Sequence, residues 1–225
     1  LEINNGYVKY PDLNDPIENI KLSFNTIFPG GSNYDDLQVR LESMNFSFLS
    51  SKFNMSFNGN HFISNPSISA DFSSDLNLGE LSKVYPMDSI FIKGKCRTDI
   101  NIKGSYSAIE KEQYDLFEAG GIFDLTDFEF TSKDLDNSVI IKNMSFEVLP
   151  YKLKLDKLLL KTGQSDIQFN GEISNYWPYV LKNEQLDGIF TLNSSYLNLD
   201  ELIPYYDNTS TDSTLSDSTT LEAYN

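Results

Sequence analysis

Apolar and polar residues alternate along most of this chain, starting close to its N-terminus. Ile20, Leu22 and Phe24 are separated by single polar residues, and the same two-residue period returns through most of the sequence. A period of two places every second side chain on one face of a β-strand. Pairs that favour turns, such as Asn58-Gly59, stand between the runs. We therefore predict a mainly β protein: an extended, curved, antiparallel-rich sheet, or sheets, of repeated strand units with a few short capping helices.

Helical periodicity is weak and confined to four short stretches. None of them carries a sustained apolar stripe with a 3.6-residue period. We expect these helices to lie at the ends of the sheet rather than to form a layer of their own. The predicted helices are residues 78–85, 109–119, 175–181 and 199–205.

Part of the sequence is repeated about 120 residues further on. Ile68–Leu81 aligns with Ile189–Leu202, and eight of the fourteen positions are identical. Each copy carries an asparagine, Asn77 or Asn198, followed three residues later by a glutamate, which is the spacing of a capping box at the start of a helix. Each copy therefore predicts a strand that ends where a short helix begins.

A second pair of matching segments lies upstream of the first. Phe57-Asn-Gly59 matches Phe169-Asn-Gly171, so the chain divides into two similar units. We predict a first β unit at residues 1–86 and a second at residues 87–206. Residues 207–225 are rich in Ser, Thr and Asp and offer too little apolar surface to offset the entropy of ordering. They are expected to be a flexible linker or the start of a further element.

The net charge argues against nucleic acid as a partner. The chain has 33 acidic and 17 basic residues, a formal charge of -16. Such a charge repels polyanions. It also disfavours electrostatic docking on an anionic membrane, although it does not bear on apolar contact with lipid.

The residue types that catalysis requires are scarce or scattered. Cys96 and His61 are the only residues of their kinds, and nothing in the sequence places a nucleophile beside the histidine. Carboxylate pairs such as Asp124 with Asp127 fall at turns or on the polar side of alternating runs, where a solvated surface is the ordinary explanation. We expect no catalytic residue, no metal and no cofactor.

The aromatic content leaves two interpretations open. The chain holds 16 Phe and 13 Tyr with a single Trp, which fits a closed β core, since aromatic residues pack well across strands. The same residues would also line an apolar face that stays partly open as a groove for a lipid chain. Alternation alone does not separate the two.

A series of short glycine-and-aliphatic blocks lies between residues 68 and 199 and carries a family resemblance that covers most of residues 1–206. Their order resembles the AsmA family of Gram-negative envelope proteins, particularly its C-terminal-type repeat region. The blocks are Ile68–Leu81, Gly104-Ser-Tyr106, Ala119–Leu125, Gly163–Asp166, Asn170-Gly171 and Asp187–Leu199.

This resemblance implies a non-enzymatic protein of the periplasm. Its members are expected to be anchored in the inner membrane by an N-terminal helix and to form a long, curved, apolar-lined groove of repeated β units. The implied function is phospholipid transport and outer-membrane homeostasis or assembly. The implied partners are a phospholipid or other acyl-chain ligand and further envelope proteins. Because the sequence does not begin with Met, we expect it to be a segment from which the membrane helix is missing.

We predict that acyl chains lie along consecutive, strongly apolar runs of the second unit. One rival is a cell-surface adhesin or carbohydrate-binding β-sandwich, with Tyr residues or Trp177 exposed at a rim. A hydrolase is a second rival and would need two carboxylates inside a cleft. The candidate groove residues are Phe128, Phe130, Phe146, Val148, Leu158 and Leu160.

Overall fold

The computed structural model describes residues 1–11, 13–31, 33–84, 89–113, 116–133 and 135–199. Within these ranges eleven antiparallel strands form one open sheet, in which each strand pairs only with its neighbours in sequence. The mainly β, antiparallel fold predicted from the alternation is confirmed. The strands are β1 (Glu2–Val8), β2 (Ile17–Ile27), β3 (Gln38–Phe48), β4 (Ser51–Asn60), β5 (Ser67–Asn77), β6 (Ile90–Ser105), β7 (Glu118–Ser132), β8 (Val139–Leu149), β9 (Lys152–Thr162), β10 (Ser165–Ser174) and β11 (Asp187–Asn193).

Three short α-helices and one 3-10 turn interrupt the sheet in the described ranges. The α-helices are α1 (Leu78–Val84), α2 (Tyr106–Glu110) and α3 (Tyr176–Lys182), and the 3-10 turn is Tyr34–Asp36. Two predicted helices, 78–85 and 175–181, are therefore confirmed to within a residue. The predicted helix at 199–205 falls almost wholly outside the described residues.

The helix predicted at 109–119 is wrong over most of its length. Helix α2 ends at Glu110, and Glu112 adopts a left-handed backbone conformation with φ of 57°. That conformation is incompatible with continuing a right-handed helix. Glu118 and Ala119 instead begin β7, where they pair with Lys103 and Ile102 of β6.

Cross-strand pairing sorts the side chains onto two faces, which we call the apolar face and the polar face. Residues directly opposite each other in neighbouring strands share a face, so the register defines rows that cross the sheet. On the polar face, Lys154 stands between Glu147 and Glu172. Two rows of the apolar face are Leu22, Met44, Met55, Phe72 and Ile100, and Phe123, Phe146, Leu155, Gly171 and Phe190.

A bulge in β7 keeps the apolar side chains on one face where the alternation changes phase. Leu125 and Phe128 are three residues apart, which in a regular strand would place them on opposite faces. Asp127 between them has φ of 48°, and the pairing with β6 shifts by one residue at Gly94. A Cβ at Gly94 would lie 2.8 Å from the Cα of Phe128, so the bulge needs a glycine opposite it.

The buried core lies where α2 and α3 meet the sheet. It contains Ala108, Ile109, Phe117 and Ala119, with Ile102, Val148 and Trp177 packed against it. The Trp177 ring meets the Phe117 ring edge-on, with 5.0 Å between centroids. Since Ile102, Ala119 and Val148 belong to the apolar face, the two helices cover one end of that face.

The repeated sequence corresponds to a repeated polar contact. The backbone N–H of Asn77, directly before α1, donates to Ser51 Oγ at 3.0 Å. The backbone N–H of Asn198 donates to Ser165 Oγ at 2.9 Å. The Glu80 carboxylate accepts from the N–H and hydroxyl of Ser50. In both copies the asparagine is therefore held by a buried serine that opens a strand.

Candidate functional site

All six residues predicted to line a groove lie on the apolar face. Phe128 and Leu160 stand in one row, on either side of Ile141. Phe130 is opposite Val139, and Leu158 lies between Met144 and Phe169. Phe146 is opposite Phe123 and Leu155, and Val148 is opposite Gly121 and Leu153. The structure therefore brings the six onto one surface, spread over several rows of β7, β8 and β9, and their role in binding lipid stays a prediction.

The apolar face is only partly shielded from solvent. Large side chains along it, including Phe46, Phe72, Phe123 and Phe146, are intermediate in exposure rather than buried. In a two-layer β-protein the facing sheet would cover such residues. The described strands instead form one sheet, and α2 and α3 cover only one end of its apolar face.

Aromatic rings stack across neighbouring strands in both halves of this face. Phe46 and Phe53 are stacked with 4.6 Å between ring centroids, and Phe169 and Phe190 with 5.2 Å. These pairs present ring faces and edges rather than polar groups. The face therefore offers a broad apolar contact area without a fixed hydrogen-bonding pattern.

The reactive residue types lie away from one another. Cys96 is buried in β6, where burial raises the pKa of the thiol. His61 lies just after β4, with Nδ1 2.7 Å from the Asn60 side-chain oxygen. A thiol with a raised pKa is a poor nucleophile. Within the described ranges, no group of three or more His, Cys, Asp or Glu residues is arranged to hold a metal ion.

A cavity of about 470 Å³ lies near one end of strands β6 to β10. Phe128, Leu160 and Ile167 of the apolar face contribute to its lining, but most of its residues belong to the polar face or to bulges. The cavity thus lies mainly on the polar face, although Phe128 and Leu160, two of the six predicted groove residues, also line it. The remaining lining residues are Lys93, Asp127, Glu129, Ile140, Lys142, Leu159, Lys161, Asp166 and Gln168.

Sequence reasoning missed this cavity, although two signals mark it. Ile140-Ile141 and Leu158-Leu159-Leu160 break the alternation. In a sheet with one apolar face, such breaks place an apolar residue on the polar side. Ile140 and Leu159 are the two residues displaced in this way.

Membrane-spanning helices were sought within the described ranges, and none of the helices there has the length and apolar character needed.

Comparison with known proteins gives no information on the function of the site, which is therefore interpreted from its geometry. Neither family models, nor curated proteins, nor solved structures give a match to this chain. The fold and the candidate site place the chain in a structural class: proteins with a single-layer antiparallel sheet whose apolar face is continuous and half-exposed.

Proposed function

We propose that this chain is a non-enzymatic segment of a lipid-handling scaffold whose apolar face binds acyl chains. The observation that carries the proposal is the continuity of this face across the strands of one open sheet. A face of this kind is costly in water unless something covers it, because exposed apolar area is unfavourable by about 25 cal/mol per Å². A hydrocarbon chain would cover it without requiring hydrogen-bond partners.

The dimensions of the sheet suit acyl chains. Neighbouring strands lie about 4.8 Å apart, so ten intervals would extend an apolar row to at most about 48 Å. The hydrocarbon core of a bilayer is about 30 Å thick. A row crossing the sheet therefore has room for the acyl chains of one phospholipid, with space for the chains to slide.

The energetics favour reversible binding. Each methylene removed from water contributes about 0.8 kcal/mol, and the aromatic and aliphatic side chains of the apolar face require no hydrogen-bond partner. Affinity then rises with chain length, while the head group stays in solvent. Such a surface holds lipid without making or breaking a bond.

We extend the proposal to location by the AsmA resemblance. On this view the segment lies in the periplasm and belongs to a protein anchored in the inner membrane. It takes part in phospholipid transport and in outer-membrane homeostasis or assembly, with other envelope proteins as partners. The negative charge of the chain is compatible with this role, since contact is made with acyl chains and not with an anionic membrane surface.

The test is native mass spectrometry with lipid extraction on the purified protein. We expect co-purifying phospholipid in the wild type and its loss in Phe146→Asp, because a carboxylate on the apolar face opposes hydrocarbon. Asn143→Asp is the matched control: it places the same side chain on the same strand, at an exposed position opposite Thr126. Circular dichroism of both variants checks that the sheet is intact.

Two outcomes would overturn the proposal. One is a stable wild-type protein that carries no lipid and takes up none from vesicles. The other is equal lipid content in the Phe146→Asp and Asn143→Asp variants. Binding to a glycan array in the absence of lipid would favour the carbohydrate-binding alternative instead.

A further inference from the structure

The cavity at one end of β6 to β10 combines an apolar patch with cationic side chains. Ile140 and Leu159 provide the patch on the polar face. Ile140 is 41% exposed and stands opposite Glu129 and Lys161. Exposed apolar residues singly are common on protein surfaces. Here two such residues lie in neighbouring strands, and both line the cavity. The volume of the cavity, about 470 Å³, and its partly apolar lining are typical of sites that bind small molecules.

Two of the three carboxylates in the cavity are already engaged. Glu129 forms an ion pair with Lys93, with 2.5 Å between Nζ and Oε2. Asp166 accepts hydrogen bonds from the backbone N–H groups of Ser195 and Tyr196, at 3.1 and 2.9 Å. Lys93 therefore matches the charge of Glu129, whereas Asp166 keeps its negative charge, stabilised by backbone amides, and lies directly opposite Lys161 of β9.

The cationic groups are less completely matched. Among the described residues, neither Lys142 nor Lys161 has an ion-pair partner. The carboxylate of Asp127, at the β7 bulge, is the one other acidic group in the lining. The lining as a whole carries three ammonium groups and three carboxylates, a net charge of zero in a chain of net charge -16, and Lys142 and Lys161 are its two ammonium groups without an ion-pair partner among the described residues.

We propose that this cavity binds a small amphiphile with a single anionic head group, either a carboxylate or a phosphate. The head group lies beside Lys142 and Lys161, and the apolar part lies over Ile140 and Leu159. A lysine ammonium forms charge-assisted hydrogen bonds with either type of anion. The proposed contacts Ile140, Leu159 and Lys161 lie on the polar face. Binding there therefore does not require acyl chains on the apolar face, although Phe128 and Leu160 of the candidate groove also line the cavity.

The experiment uses the full chain with labelled isoleucine and leucine methyl groups, followed by NMR. The probes are decanoate, decyl phosphate, 1-decanol and decyltrimethylammonium, each in monomeric solution. Methyl signals of Ile140 and Leu159 report the cavity, and those of Leu155 and Ile173 report the apolar face. We expect the two anions to shift the cavity signals at lower concentration than the alcohol, and the cation to leave them unchanged. Comparing decanoate with decyl phosphate identifies the preferred head group.

Lysine variants separate head-group recognition from general attraction. The Lys142→Gln and Lys161→Gln double variant should bind the anionic probes about tenfold more weakly, equivalent to about 1.4 kcal/mol. Its affinity for 1-decanol should not change. Lys157→Gln is the control, since Lys157 is exposed on β9, opposite Ser145, and does not line the cavity. The Lys157→Gln variant should bind each of the four probes with the wild-type affinity.

The proposal fails if the anionic probes shift only Leu155 and Ile173, since binding would then be confined to the apolar face. It also fails if the preference for an anion survives in the double variant. Neither result would bear on lipid binding by the apolar face, which the Phe146→Asp variant tests.

Discussion

Two hairpins of this sheet share sequence but differ in their neighbours. The inner hairpin is β4–β5 (Ser51–Asn77), and the outer hairpin is β10–β11 (Ser165–Asn193). Both begin with a buried serine and carry a Phe-Asn-Gly segment. Strand β5 pairs on one side with β4 and on the other with β6, whereas β11 pairs with β10 alone among the described strands.

The consequence is visible in the repeated segment itself. Ser73–Asn77 lies within β5, where it pairs with β6 along its whole length and with β4 as far as Asp75. The matching residues 194–198 are not in a strand, and every residue of β11 is exposed, with Ile189 at 76%. The contact between serine and asparagine is nevertheless present in both. The repeated sequence thus gives the same local hydrogen bond in both hairpins. Whether the repeated segment also forms a strand depends on the neighbouring strands with which it can pair.

The largest expected loss of stability comes from removing the Ser51 hydroxyl of the inner hairpin. Ser51→Ala leaves the Asn77 N–H without its hydroxyl acceptor in a fully buried place, which should lower the free energy of unfolding by about 2 kcal/mol. Ser165→Ala removes the equivalent contact of an equally buried serine, but Asn198 follows β11, whose residues are all exposed, so the segment held by this contact can open without the rest of the sheet. We expect it to cost less in urea denaturation and to increase local hydrogen exchange instead. Equal global losses in the two variants would show that position in the sheet is irrelevant.

A smaller loss of stability is expected when either of the two matching glycines, Gly59 and Gly171, is replaced by alanine. A Cβ at Gly171 would collide with the backbone oxygen of Ile189, whereas a Cβ at Gly59 would meet the ring ends of Phe57 and Phe62. Side-chain rings can move more easily than a paired strand, so Gly171→Ala should weaken β10–β11 pairing by about 2 kcal/mol, and Gly59→Ala by less. Hydrogen exchange of the β11 amides measures the first, and thermal unfolding compares both. Unchanged β11 protection in Gly171→Ala would contradict the expected collision.

The smallest effect on stability concerns Asp35 and Asp166, two partly exposed aspartates that hold segments beside the hairpins. Asp35 accepts hydrogen bonds from the side chain and backbone of Ser64 and from the Ile63 N–H, and these lower the pKa of its carboxyl group. Asp166 has a lowered pKa through the N–H groups of Tyr196 and Ser195. A lowered pKa means that each contact is fully present above the ordinary aspartate value of about 3.9 and is lost as the pH falls through the folded-state value.

Amide proton shifts of Ser64 and Tyr196 measured against pH provide the check. We expect both to titrate with midpoints below about 3.9, and this titration to vanish in Asp35→Asn and Asp166→Asn respectively. A midpoint at or above the ordinary value would show that the hydrogen bonds do not persist in solution.

Much of the fold could be predicted because a two-residue period is a direct consequence of one buried face. The phase change between Leu125 and Phe128 was also visible in the sequence, although the bulge at Asp127 that absorbs it was not. The helix predicted at 109–119 failed for a tertiary reason. Phe117 and Ala119 are apolar because they pack against α2, not because they continue it.

The site was predictable only in part. Alternation identified which side chains share the apolar face, since pairing preserves the face from strand to strand. It did not identify the cavity, which arises from residues distant in sequence, such as Ile140 and Leu159, that the register of β8 and β9 brings to one place. Single-strand patterns carry no information on register between strands.

The strictly sequential strand order has a consequence for how such a chain folds and evolves. Because each strand in the described part of the chain pairs only with those next to it in sequence, none of these strands must wait for a distant partner, and the loop-closure entropy of each pairing step is low. A hairpin inserted at a turn lengthens the sheet by two strands and leaves the direction of all others unchanged. Evolution can therefore adjust the length of the apolar face by duplication, one hairpin at a time.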